Sequence, residues 1–216
     1  SYKNFEVIVS DNNSSDGSGE MVKKEFPKAR LIRNHANYGV SKGYNVGVAA
    51  AKGKYVATLA NDMSLDRGWI KEAVKALKEN PQAATAGSFI QNSKEGYYKG
   101  KKWYGCYLDL LGNPVAPNPD AKYIFGPSGA IIKKEIVGIP YDESFFYSGD
   151  EIYLGWKTLF LGYRTILANK AKLFHEGRVS INSVKGISAF AEYHGERNRY
   201  LNLLIFYSAL SLIKLL

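Results

Sequence analysis

Asn4-Phe5-Glu6-Val7-Ile8-Val9-Ser10-Asp11-Asn12-Asn13-Ser14-Ser15-Asp16-Gly17-Ser18 passes from an apolar run into a dense polar loop. Phe5 to Ser10 is short, rich in β-branched residues and bounded by turn formers, the pattern of a buried strand. The loop ends near Asp16 and Ser18, either of which can cap a helix over Glu20 to Phe26. A strand that feeds a helix through a polar loop is the repeating unit of an α/β layout, and the chain downstream repeats it.

Ala29 to Arg33 reads as a second strand. Asn37-Tyr38-Gly39-Val40 is a loop leading into a helix over Ser41 to Ala51. Lys54 to Ala60 is a third strand, broken by Asn61-Asp62. Trp69 to Glu79 is an amphipathic helix ended by Asn80-Pro81, and Ala83 to Ile90 is a fourth strand. The alternation predicts an α/β fold with a mostly parallel central sheet flanked by helices. Ligands of such sheets lie at the carboxyl ends of the strands. Asp11 and Asp62 each follow a strand end, so spacing alone puts two carboxylates on that rim.

Beyond Ile90 the pattern changes. Asn92 to Asp120 is rich in Gly, Lys, Tyr and Pro and carries Trp103 with Tyr97, Tyr98, Tyr104 and Tyr107, a long loop or irregular hairpin. Gly126-Pro127-Ser128-Gly129 is a tight turn before the apolar segment Ala130 to Val137. Gly149-Asp150-Glu151 opens a helix through Leu161, closed by Gly162. Arg164 to Ala168 and Lys172 to Phe174 are short strands, and His175 follows the second. From Ala189 the chain is helical in pattern and increasingly apolar.

The 216 residues suffice for one compact domain, and 45% hydrophobic with 23% charged residues is a globular composition. The net charge of +9 suits anionic partners such as nucleotides or phospholipid head groups. No recognised RNA- or DNA-binding motif accompanies it, so nucleic acid is not an expected partner. The single cysteine, Cys106, excludes a disulfide within the chain and a cysteine-built zinc site, and fits a reducing cytoplasm. Ser1 to Val9 lacks the apolar core of a signal peptide.

Several blocks, in order, resemble glycosyltransferase family 2, whose fold is GT-A. Asn4 to Ser18 resembles its first nucleotide-binding segment. Asn34 through Gly53, with Asn37, Gly39 and Asn45, resembles the second. Leu59-Ala60-Asn61-Asp62 resembles its metal-binding segment. Tyr141-Asp142-Glu143-Ser144-Phe145-Phe146 with Gly149-Asp150-Glu151 resembles the segment that carries the catalytic base. Gly162-Tyr163-Arg164 and His175 continue the match. Arg197-Asn198-Arg199 resembles the start of the tail in the rhamnosyltransferase-like branch. Family members usually begin one strand and one helix earlier, so the chain is expected to lack the first strand and helix of the fold.

The resemblance implies an inverting, metal-dependent transfer of a sugar, hexosyl or rhamnosyl, from a nucleotide-sugar donor to a glycan, lipid-linked or protein acceptor. Asp11 would accept a ring N–H of uracil or thymine, favouring UDP- or dTDP-sugars. Asn13, Asn37, Gly39, Lys42 and Asn61 would complete the donor side, with Gly129 on the sugar pocket. Asp62, with His175, would hold Mg²⁺ or Mn²⁺. The family often places a further acid two residues before Asp62, where this chain has Ala60. Glu151 would be the general base, with Asp150 beside it; the family's Glu-Asp order is inverted here.

The expected organisation is a transferase domain over 1–188, its nucleotide half 1–90 and acceptor half 91–188, followed by an amphipathic helical tail over 189–216. Leu201 to Leu216 falls short of a span, which needs roughly 20 apolar residues. With Arg197, Arg199 and Lys214 it suggests an interfacial helix on an anionic membrane surface, at the inner face of the plasma membrane. Rival readings are a nucleotidyltransferase, for which no phosphate-gripping glycine signature is found, and a catalytically degenerate nucleotide- or carbohydrate-binding module.

Overall fold

The structure is a computed structural model that describes residues 2–91, 107–109, 111–115, 129–175 and 187–208. Trp103, Tyr97, Tyr98, Tyr104, Cys106, the turn residues Gly126 to Ser128 and the tail beyond Ser208 lie outside the described residues.

The chain opens with β1 (Ile8–Asp11), α1 (Ser18–Glu25) and β2 (Arg30–Arg33). The two strands pair in parallel, Ile8 opposite Arg30 through to Asp11 opposite Arg33. Gly17, left-handed at φ 85°, turns the loop into α1, and Asp16 Oδ1 accepts the Ser18 amide and hydroxyl rather than capping the helix. Glu20 in the first turn and Lys23 and Lys24 in the last complement the helix dipole.

Next come α2 (Gly39–Ala50), β3 (Tyr55–Ala57), β4 (Met63–Leu65), α3 (Trp69–Glu79) and β5 (Ala83–Gln91). A hairpin of β6 (Tyr107–Leu108) and β7 (Pro114–Val115) follows. The chain continues through β8 (Ile131–Lys133), α4 (Lys134–Val137), α5 (Asp150–Phe160), β9 (Arg164–His175) and α6 (Ile187–Phe206). Among the described residues no helix is long and apolar enough to cross a membrane.

The five-stranded sheet has the order β3-β8-β5-β9-β4. Both its faces are buried. Trp69, Ala73, Val74 and Leu77, at helical spacing on α3, pack with Ala83, Ala86, Ile90, Ile131 and Leu173 on one face. Val48 of α2 and Leu154 of α5 pack with Ala84, Ala130, Ile132 and Tyr141 on the other. The small residues of β5 allow helices close on both sides. Polar atoms trapped between layers are bonded: Trp69 Nε1 donates to Ser88 Oγ (2.8 Å), which donates to the Gly129 carbonyl (2.6 Å). Thr85 and Thr158 hydroxyls meet at 2.9 Å between β5 and α5. Such bonds contribute roughly 1 kcal/mol each, and leaving one partner bare would cost more.

β1 and β2 form a separate hydrogen-bonded pair. Helix α2 packs on β1 and, through Val48, on the far face of the larger sheet. The Glu6 carboxylate adds a second tie by accepting the Lys52 and Gly53 amides at 2.7 and 3.2 Å.

Strand direction is where the structure departs from the sequence reading. β1/β2 and β5/β9 are parallel, but β8 runs antiparallel to both β3 and β5, and β4 antiparallel to β9. The large sheet is mixed rather than mostly parallel, because an apolar run such as Ala130 to Val137 carries no record of its direction. The two short strands expected after Gly162 are one strand, β9, which pairs with β5 through a register shift between Ser88 and Phe89.

Candidate active site

The carboxyl end of β3 leads through Thr58 to the turn at Asp62. The β4/β9 register sets Met63 opposite His175, so the residue before Met63 comes beside the last residue of β9. His175 Nε2 lies 3.1 Å from Asp62 Oδ1, with side chains only 9% and 16% exposed. A carboxylate oxygen and an imidazole nitrogen at one protected point are a donor set that suits Mn²⁺. Among the described residues no third His, Cys, Asp or Glu joins them. A cation there would take its remaining ligands from elsewhere, and a diphosphate supplies hard oxygens of the right kind.

Helix α5 begins at the second carboxylate group. Asp150 is 3% exposed, and burial pushes its carboxyl well above the ordinary range. Negative charge on Glu151 pushes the same way, and a side-chain hydrogen bond with Glu151 adds to it. Asp150 is therefore biased toward its protonated form beside a more accessible Glu151.

The two groups meet around Tyr44 on α2. Burial raises the Tyr44 phenol strongly, and the charges of Asp150, Glu151 and Asp62 raise it further. Its ring packs against Tyr141 at 5.5 Å. Tyr141 is held in turn: its hydroxyl meets Thr58 Oγ1 at 2.7 Å, and its backbone exchanges hydrogen bonds with the buried Asn45 amide. Acidic groups from beyond β3 and from the start of α5 thus all act on one buried phenol.

The expected donor side adjoins it. Asp11, 6% exposed at the end of β1, accepts the Ser14 amide (2.9 Å) and faces the Arg33 guanidinium (3.6 Å). Asn12, which sequence reasoning passed over, donates to the Gly39 carbonyl (2.9 Å) and accepts from Asn34 (2.8 Å). Gly39, at φ 74°, presses on Phe146: a Cβ there would fall on the Phe146 carbonyl, which accepts the Val40 amide at 2.8 Å. Asn37 Oδ1 accepts the Gly39 amide (3.0 Å). Lys42 pairs with Glu143 (3.1 Å) and lies over the Tyr38 ring. The loop before α5 is therefore seated on the start of α2.

Asn13, at φ 63°, and Asn61 are exposed in their turns. Gly129 is buried at φ 94°, against Leu173 and near Met63, under the Asp62–His175 end of the site. Tyr44, Tyr141 and Thr58 were not foreseen. Their positions inside a helix, in a turn and just beyond a strand carry no local signal, and only the packing of α2 against the loop shows them.

The family model "Glycosyl transferase family 2" matches residues 1–136. The pre-mycofactocin glycosyltransferase of Mycobacterium tuberculosis (strain CDC 1551 / Oshkosh) is 26% identical over 204 residues, covering 88% of this chain and 41% of that protein. A crystal structure of S. aureus TarS 1-349 in complex with UDP-GlcNAc superposes with a TM-score of 0.63 at 17% identity, covering 94% of this chain and 59% of that one. A crystal structure of GalNAc-T7 with UDP, GalNAc and Mn²⁺ superposes at 0.60 and 15% identity, covering 79% and 37%. The chain spans about half or less of the length of the curated relatives it matches.

Proposed function

Because this chain belongs to glycosyl transferase family 2 and has the GT-A fold, we propose that it is the catalytic part of an inverting glycosyltransferase using a nucleotide-diphosphate sugar. The observation that carries this reading is the protected Asp62–His175 pair at 3.1 Å, with Asp62, Asp150 and Glu151 all close enough to act on the buried Tyr44 phenol. The two acidic groups come from separate parts of the chain, Asp62 beyond the end of β3 and Asp150-Glu151 at the start of α5, and α2 touches both the loop before α5 and the residue next to Asp11.

Each group has a chemical task in that reading. Asp62 and His175 would hold a divalent cation, which when bound would offset the charge of the leaving diphosphate. Asp11 receives the ring N–H of a uracil or thymine base. Glu151 removes the proton of the acceptor hydroxyl as that oxygen attacks the anomeric carbon opposite the diphosphate, so the centre inverts. Buried neutral Asp150 donates a hydrogen bond to Glu151 and fixes its orientation. A glycan or lipid-linked acceptor enters from the side of residues 141–149. The branch within the family, the sugar and a peripheral position on an anionic membrane remain part of the proposal.

The test uses the full-length protein with a panel of UDP-, dTDP- and GDP-sugars and Mn²⁺. Cleavage of a UDP- or dTDP-sugar, with the anomeric configuration reversed in the NMR spectrum of the product, is the expected result. A donor that binds and is never cleaved would leave a binding module instead.

A further inference from the structure

We propose that Asn198 and Asn202 of α6 are positioning residues that hold the peptides leading into Glu151, a role that rests on Glu151 being the base. The two asparagines lie one helical turn apart and are 0% and 3% exposed. Asn198 Nδ2 donates to the carbonyls of Tyr147 (2.8 Å) and Ser148 (2.6 Å). Asn202 Nδ2 donates to the next carbonyl, that of Gly149 (3.1 Å). Three consecutive carbonyls before α5 are thus bound by two side chains of a helix more than forty positions further on, as the separations of 51, 50 and 53 residues show.

Those peptides need holding. Ser148 (φ 67°) and Gly149 (φ 80°) are consecutive left-handed residues, and a non-glycine residue there costs about 1 kcal/mol or more unless its surroundings fix it. The pair makes the sharp turn from which Asp150 and Glu151 emerge. Neighbouring contacts orient the clamp: Arg197 Nη1 donates to Asn198 Oδ1 (2.8 Å) and to the Ser144 carbonyl (3.0 Å) of the same loop. Space at Gly149 is filled to contact, since a Cβ there would stand 3.0 Å from Asn198 Cβ.

Packing alone does not require amides at these positions. An aliphatic side chain would fill the volume, whereas a buried amide is costly unless bonded. Asn202 Oδ1 is buried without a hydrogen-bond partner among the described residues, yet its Nδ2 serves the loop. Three of the four amide donor contacts go to the turn whose geometry aims Glu151, and the fourth, from Asn202 to the Asn198 carbonyl (3.1 Å), ties the clamp to its own helix. Displacing a catalytic group by about 1 Å can slow a reaction roughly 100-fold.

Two variants of the full-length protein test this: Asn198→Asp, which keeps the shape and removes the donors, and the milder Asn202→Ala. The expected result is a fall in kcat of about 10- to 100-fold with the donor KM within about twofold. The acidic limb of the kcat–pH profile should shift, and amide exchange should speed up at residues 150–153 but not in α3. A folded variant with unchanged kcat and unchanged exchange overturns the proposal. So does exchange that rises equally in α3 and β5, or failure of both variants to fold, because each marks a general structural role. If the wild type transfers no sugar, the transferase reading fails by itself, and the exchange comparison still decides whether the asparagines fix the turn.

Discussion

His175 Nε2 stands 3.1 Å from Asp62 Oδ1, joining the last residue of β9 to the residue that precedes its antiparallel partner β4. Neither side chain sits in an ordinary surface position, and the contact is made by strand register rather than by loop flexibility. Asp62→Ala is therefore expected to lower transfer by about 100-fold and to abolish its stimulation by Mn²⁺. Initial rates against Mn²⁺ concentration check this. A variant as fast and as metal-responsive as wild type would remove Asp62 from the site.

Glu151→Gln keeps the size of the side chain and removes its basicity. The rate of sugar transfer is expected to fall about 10²- to 10⁴-fold, while donor affinity stays within about twofold. Isothermal titration with the nucleoside diphosphate and single-turnover kinetics separate the two quantities. A loss of affinity that matches the loss of rate would place Glu151 on the donor instead.

Asp150 gives a pH signature in stability. Burial raises its carboxyl in the folded chain, so the folded state keeps a proton that the unfolded state releases above about pH 4. Its contribution therefore declines as pH rises from there toward the raised folded value. Asp150→Asn has no such proton to lose. The Tm of the variant minus that of wild type should increase with pH across this window, and a difference that is flat with pH would contradict a neutral buried Asp150.

Gly39 tolerates no side chain. Its φ of 74° costs an alanine about 1–2 kcal/mol, and the added Cβ collides with the Phe146 carbonyl. Gly39→Ala should lower Tm by at least about 4 °C in a chain of this size. It should also loosen the 141–149 loop, seen as faster amide exchange at Val40, whose amide donates to Phe146.

In the proposed reading Asp11 sets the base preference. Wild-type protein is expected to be stabilised more by UDP or dTDP than by ADP or GDP in a thermal-shift series with Mn²⁺. Asp11→Ala should flatten that ranking. An unchanged ranking would assign base recognition to other residues.

Much of this was written in local pattern. The helix over Trp69 to Glu79 follows from apolar spacing and a terminal Asn-Pro, and the observed helix has those bounds. Asp11 and Asp62 are legible because each ends an apolar run. Glu151 is not legible from spacing, since acids at a helix start are common, and it was named only through the resemblance. What the pattern could not carry was pairing. Met63–Leu65 drew no assignment because three residues give no periodicity, yet that strand sets Asp62 beside His175. Asn198 was legible only as part of the Arg197-Asn198-Arg199 block and Asn202 only as a polar break in an apolar tail, and their partners lie some fifty residues away.

Helix α2 touches both rims. It meets the nucleotide-side loop through Asn12 at Gly39, and it meets the acid-side loop through Asn45 at Tyr141. If the nucleobase lies against the first loop and the reacting carbon against the second, the span between them is set by the stretch of α2 from Gly39 to Asn45. A donor with a longer or shorter bridge between base and sugar would meet a gauge that cannot stretch, and selection by length would operate before any atom of the sugar is inspected.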